Sequence, residues 1–192
     1  FHEAILPRSL FQIESSFVEE NPDKVVPCKK TDALPDKNQI RLLTNDRAGK
    51  TGRARWFFAD KSVIKTNQAY ISEWQVVVSS ANAGGQKRDN QIEIIDNHSA
   101  FGRSRVALRS FKTHAEAKNF YHYAKSYLVR YAFLMTDESL TSLGKRVPDL
   151  GSYKNDNGLI DYASDIDSQL FRLFQLDEAD IAYVKQRVDS IR

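Results

Sequence analysis

Between Lys37 and Lys112 the chain carries fourteen Lys and Arg against six Asp and Glu, a net of +8, although its formal charge is only +3. The rest of the chain holds 14 basic and 19 acidic residues, a net of −5. Positive charge concentrated in this way suits a phosphate backbone, because each phosphate neutralised releases condensed counterions. Arg53, Arg55, Arg103 and Arg105 bring guanidinium forks that fit phosphate oxygens or a guanine edge. Asn82, Gln86, Asn90, Gln91 and Asn97 lie among them, and an Asn or Gln amide can read adenine bidentately. The residues expected to meet nucleic acid are Arg41, Lys50, Arg53, Arg55, Lys87, Arg88, Asn90, Gln91, Asn97, Arg103 and Arg105.

Other chemistries fail on a required residue. Gly49-Lys50-Thr51 imitates the end of a phosphate-cradling loop, but the glycine needed five positions earlier is Thr44. Asp161, Asp165 and Asp167 lack the glycine and closing glutamate of a calcium loop, since the twelfth positions fall on Arg172 or Leu176. His114 and His122 share a predicted helix but are eight residues apart, so they point about 80° from each other. His98 sits in the polar turn Asp96-Asn97-His98-Ser99, and His2 stands alone near the start. A single cysteine, Cys28, permits no disulfide and no Cys-rich zinc site. No catalytic, cofactor-binding or metal-ligating set is expected in this chain.

The elements that must position these residues are short strands followed by helices. Val25-Val26, Arg41-Leu42-Leu43, Arg55 to Phe58, Trp74 to Val78, Gln91 to Ile95 and Arg103 to Phe111 read as strands, with a loop over 81–90. Val106, Leu108 and Phe111 are expected on one side of the last strand, and Arg105, Ala107 and Arg109 on the other. Thr113 and Glu116 form a capping-box pair. Behind them Ala117, Phe120, Tyr121, Ala124, Leu128, Tyr131 and Met135 predict one amphipathic helix of about six turns, over 113–135. Asp167 is expected to cap a short helix carrying Leu170, Phe171 and Phe174; Asp177 is expected to cap a last one carrying Ile181, Val184, Val188 and Ile191. The fold class is therefore α+β: a twisted, mainly antiparallel sheet with long loops, one long amphipathic helix packed on it, and two short C-terminal helices. The expected organisation is a proline-broken lead-in from an upstream domain (1–36), a recognition domain (37–150) and a helical appendage (151–192). The chain opens on Phe1 without a signal-peptide pattern, as an excised piece of a longer protein would. No apolar run reaches the roughly 18 residues needed to span a bilayer, and the cysteine usage fits a reducing compartment, the cytoplasm.

Several motifs occur in a recognisable order. Trp74-Gln75-Val76-Val77-Val78 leads to Ala81-Asn82; a later strand ends at Phe111; then come Thr113, Glu116-Ala117, Lys125-Ser126-Tyr127 and Arg130; then Val147-Pro148; and last Leu170-Phe171, Phe174, Leu176 and Ile181. In this order they resemble the C-terminal target-recognition region of adenine-specific DNA methyltransferases of bacterial restriction-modification systems. The fused type II restriction enzymes, in which methylation and cleavage share a chain, are the nearest in pattern. The resemblance covers about residues 74–191. It implies a DNA target-recognition piece whose partners are double-stranded DNA and a covalently linked methyltransferase domain, in some members with a nuclease. It implies S-adenosylmethionine as cofactor of the parent enzyme, in the bacterial cytoplasm. This chain departs from the whole family in lacking both the glycine-containing S-adenosylmethionine motif and the Asn-Pro-Pro-Tyr-like motif that receives a flipped adenine. Methyl transfer by this chain alone is not implied. Two other classes stay open: a nuclease using Asp96 or His98, and a specificity or docking subunit working through protein contacts.

Overall fold

In the computed structural model residues 2–80, 92–135, 147–155 and 158–190 are described. In chain order their elements are α1 (Phe17–Glu20), β1 (Val25–Pro27), β2 (Gln39–Asn45), β3 (Ala54–Asp60), β4 (Trp74–Ser79), β5 (Ile92–Ile95), β6 (Ser99–Phe101), β7 (Arg105–Phe111), α2 (His114–Ala124), α3 (Tyr127–Leu134), α4 (Ile166–Leu173) and α5 (Glu178–Asp189). The class is α+β. Instead of one sheet there are two: β1-β3-β2-β6, antiparallel except for the β2–β6 pair, and the antiparallel β5-β4-β7.

Strand β4 explains the layering. Val76, Val77 and Val78 are all fully buried, with no polar alternation, as in a strand covered on both faces. Val76 and Val78 join Ile92, Val106, Leu108 and Phe120 in a core beneath the helices. Val77 joins Ile95, Ala107, Leu42 and Phe57 in a second core between the two sheets. The order is sheet, sheet, helices. The segment expected as a lead-in belongs to the second core: Leu10, Phe11, Ile13 and Val25 are buried there, and the Leu6 N–H donates to the Ala107 carbonyl. On the other side Val147, Leu150, Tyr153, Ile160 and Leu170 join the helical core.

Strand β7 changes face partway. Val76 pairs with Arg109 but Val77 with Ala107, so Leu108 is an extra residue, a bulge. Beyond the bulge the odd-numbered residues face the helices. Arg109 therefore parts from Arg105 and Ala107. It meets Asp149 at 2.8 Å and lies over the rings of Phe111 and Tyr153.

The helix expected over 113–135 is two helices. Thr113 caps α2 as expected, accepting from the Glu116 N–H. At Ser126 the backbone turns extended (φ −63°, ψ 155°) and the hydroxyl accepts from the Val129 N–H, starting α3. Serine competes for backbone donors in this way. Asp167 accepts from the Tyr127 N–H and so supports the start of α3 rather than its own helix, whose cap is Asp165. Asp177 caps α5 in a full capping box with Asp180. Both C-terminal helices exist, and Val184 and Val188 of α5 are buried, whereas Ile191 lies outside the described residues.

Phe120 is fully buried, with Tyr153 edge-on at 4.9 Å. Phe120→Ala should lower stability by about 3–5 kcal/mol through the cavity it leaves. Gln186→Ala, at an exposed position of α5, should change it by less than about 0.5 kcal/mol. Urea unfolding of both variants measures the contrast.

Candidate nucleic-acid interface

Topology collects most of the described candidate cations at one end of the molecule. The β2–β3 hairpin leaves β2 after Asn45 and carries Arg47, Lys50, Arg53 and Arg55. Because β6 runs parallel to β2, with Leu43 opposite Phe101, the turn after β6 emerges at the same end and carries Arg103 and Arg105. The second turn packs against the end of β2 from which the hairpin leaves. The Gly102 N–H donates to the Leu43 carbonyl, and a Cβ on Gly102 would stand 2.4 Å from the Thr44 hydroxyl oxygen, so only glycine allows this approach. The hairpin tip is also glycine-dependent. Gly49 has φ +82°, and a Cβ on Gly52 would come within 2.0 Å of the Arg47 carbonyl oxygen. Strand β4 ends at this same edge, where the Ser80 N–H donates to the Ser104 carbonyl. Lys87, Arg88, Asn90 and Gln91 lie outside the described residues.

Folding neutralises several of these cations. Arg55 Nε donates to Asp46 at 3.0 Å, Arg103 to Glu14 at 2.9 Å and Arg105 Nε to Glu93 at 3.2 Å. Arg47, Lys50 and Arg53 form no ion pair among the described residues; Arg53 instead donates to the Lys50 and Gly52 carbonyls of its own turn. The Arg53 N–H and the Arg55 guanidinium hold the Asp46 carboxyl below its ordinary value, so it stays charged and fastens the base of the hairpin. Ion pairs with exposed partners stabilise little, typically about 0.2–1 kcal/mol, and can be exchanged for phosphate. That of Arg103 is of this kind, both partners being more than half exposed; Arg55 is itself exposed, but its partner Asp46 is sheltered, only 25% exposed. A cleft of about 590 Å³ opens beside the hairpin, lined by Cys28, Asp46, Arg55 and Trp56 among others.

Two expected contacts are placed elsewhere. Arg41 is a buried structural residue: its side chain is 11% exposed and its guanidinium bonds Asp96 at 2.7 Å and the Asp32 carbonyl at 2.8 Å. It pairs with Phe58 across the sheet, so its charge cannot reach a ligand. Asn97 lies in the turn before β6, beyond the opposite end of β2 from the hairpin. In the reverse direction, Arg47 belongs with the exposed group, and its place in the hairpin between Asn45 and Ala54 is what marks it.

Asp96, the acidic residue of the nuclease alternative, is occupied. It accepts from Ser99, from the His98 N–H and from Arg41. Burial pushes its carboxyl upward, but the bonds from Ser99, His98 and Arg41 outweigh this and hold it below its ordinary value. Among the described residues no group of three His, Cys, Asp or Glu could hold a metal ion. No helix among them is long and apolar enough to cross a membrane.

No known family model, curated protein or solved structure matches the chain.

The depressed Asp96 carboxyl sets a pH dependence. Its stabilising contribution is complete above the unfolded-state value near 3.9 and is lost as pH falls through the lower folded-state value. Asp96→Asn should cost about 3 kcal/mol at pH 7, since it leaves Arg41 buried without its counter-charge. Its stability should also fall less than the wild type's between pH 4 and pH 2. Urea midpoints across that range measure both effects.

Proposed function

We propose that this chain is the DNA target-recognition part of a bacterial N6-adenine restriction-modification methyltransferase, acting in the cytoplasm. It grips duplex DNA so that a linked methyltransferase domain can take one adenine out of the stack. The observation that carries the reading is the basic end itself: two turns at the same end of β2 present Arg47, Lys50 and Arg53 without an ion pair among the described residues, Arg103 in an exchangeable pair, and Arg55 with its side chain exposed. The motif order from Trp74 to Ile181 supplies the choice of family.

The division of labour follows from the layers. The turns belong to the two sheets, and the helices lie behind, so the scaffold holds the grip without sharing in it. Backbone contacts set position while side chains that reach the base edges set sequence preference. Unstacking a base costs a few kcal/mol, and firm phosphate contacts on either side can offset that. S-adenosylmethionine would be bound by the linked domain, since the motifs that hold it and the flipped adenine are missing from this sequence. Leu173, Phe174 and Tyr183 are exposed on the two C-terminal helices and suit packing against that domain.

Titration with a duplex at several salt concentrations tests this reading. Arg47, Lys50 and Arg53, each meeting one phosphate, contribute about −2.7 to the slope of log K against log salt, and Arg103 adds to it once it leaves its carboxylate. The combined variant Arg47→Ala, Lys50→Ala and Arg53→Ala should make the slope shallower by about 2.7 and weaken binding at least about tenfold at low salt, with its thermal midpoint unchanged. Salt-independent binding, or none, would contradict the proposal.

A further inference from the structure

One short acidic segment touches both basic turns. Glu14 accepts from Arg103 at 2.9 Å, and Glu19 accepts from the Ala48 N–H at 2.8 Å, at the tip of the β2–β3 hairpin. The two glutamates lie five residues apart on either side of the start of α1. The segment between them is fastened. Phe17 and Val18 pack against the inter-sheet core, the Phe17 N–H donates to the Glu14 carbonyl, and the Asn21 amide donates to the Phe17 carbonyl at 2.9 Å. The carboxylates themselves stand in solvent: the Glu14 side chain is 57% exposed and its Arg103 partner 62%.

We infer that Glu14 and Glu19 are placeholders for phosphate, occupying the basic end when it is free and giving way when a nucleic-acid backbone arrives. The inference rests on the DNA-binding reading above and adds regulation to it. The chemistry of the two donors points to this occupant. A guanidinium and an outward backbone N–H beside Arg47 and Lys50 are the two kinds of group that commonly hold phosphate oxygens. A carboxylate presents the same acceptor oxygens with less charge. Since the pair and the bond are both exposed, each stabilises the fold only slightly, so neither needs to be kept in a complex.

The consequence is a higher threshold for binding. Any polyanion must displace both carboxylates before it gains those two donors, and this subtracts equally from every complex that uses them. The affinity ratio between two such duplexes is unchanged, but at a given concentration a weakly held duplex is left unbound while a tightly held one stays bound. The Phe17 and Val18 anchor keeps the carboxylates at hand, so the free state re-forms without refolding.

The test is a duplex titration of the wild type, Glu14→Gln, Glu19→Gln and the double variant, at about 50 mM and 300 mM salt, with Arg103→Gln and the Glu14→Gln/Arg103→Gln pair completing a cycle. Each single Gln variant should bind unrelated duplexes about two- to fivefold tighter at the lower salt, as expected for removal of one exposed competing charge. The gain should shrink at the higher salt. Thermal midpoints should match the wild type. The gain from Glu14→Gln should largely vanish when Arg103 is already Gln. A wild type that binds DNA while both Gln variants bind equally well would overturn the placeholder assignment and leave the DNA reading standing. A gain that persists undiminished without Arg103 would overturn it for Glu14. Absence of salt-dependent binding in the wild type and in every variant would overturn both.

Discussion

Strand β4 has no face left for water. Val76 and Val78 are sealed under the helices and Val77 is sealed against the second sheet, so every neighbouring element must cover one side or the other. Helices α2 and α3 supply one cover with Phe120, Tyr123, Ala124, Val129 and Phe133. Strands β2, β3 and β6 supply the other, helped by the N-terminal residues Leu10, Phe11 and Ile13. The chain must cross from one sheet to the other between Phe101 and Arg105, and that crossing needs Gly102 against Thr44. The placing of both basic turns at one end of β2 is thus a by-product of how the central strand is buried.

The same geometry decides which charges remain available. The bulge at Leu108 turns Arg109 toward Asp149 and the rings of Tyr153 and Phe111, where it serves the helical core. Arg41 serves the sheet edge through Asp96. These are partly or wholly buried pairs, and a buried cation parted from its carboxylate is strongly destabilising. Arg103 has a partner of equal formal charge but in solvent, where the pairing is weak, and Arg55 is exposed although its partner Asp46 is sheltered. Position in the fold, more than residue type, separates structural arginines from those free to meet a ligand.

The helical layer shows how a continuous apolar pattern can hide a break. The steps of three and four from Ala117 to Met135 run through Ser126 without interruption, yet Lys125 ends one helix and Ser126 starts the next. Ser126 is buried and its hydroxyl has the Val129 N–H to accept from, while Asp167 arrives from a distant part of the chain to take the Tyr127 N–H. A cap supplied from forty residues away carries no local signature. The Thr113–Glu116 and Asp177–Asp180 caps were legible because both partners lie within one turn.

Residue order alone was enough for the α+β class, the positions of most strands, the caps written in a single turn, and the basic middle of the chain. Each depends on neighbours in sequence: alternation, β-branched runs and side chains that bond their own backbone. The division into two sheets, the strand β6, the inclusion of Leu10, Phe11 and Ile13 in the core and the fate of each arginine were decided by tertiary structure. Those depend on which surfaces meet. Asp96 is fifty-five residues from Arg41 and Glu14 is eighty-nine from Arg103, so whether a positive charge is buried, paired or free is settled only when distant segments are brought into contact by burying apolar surface.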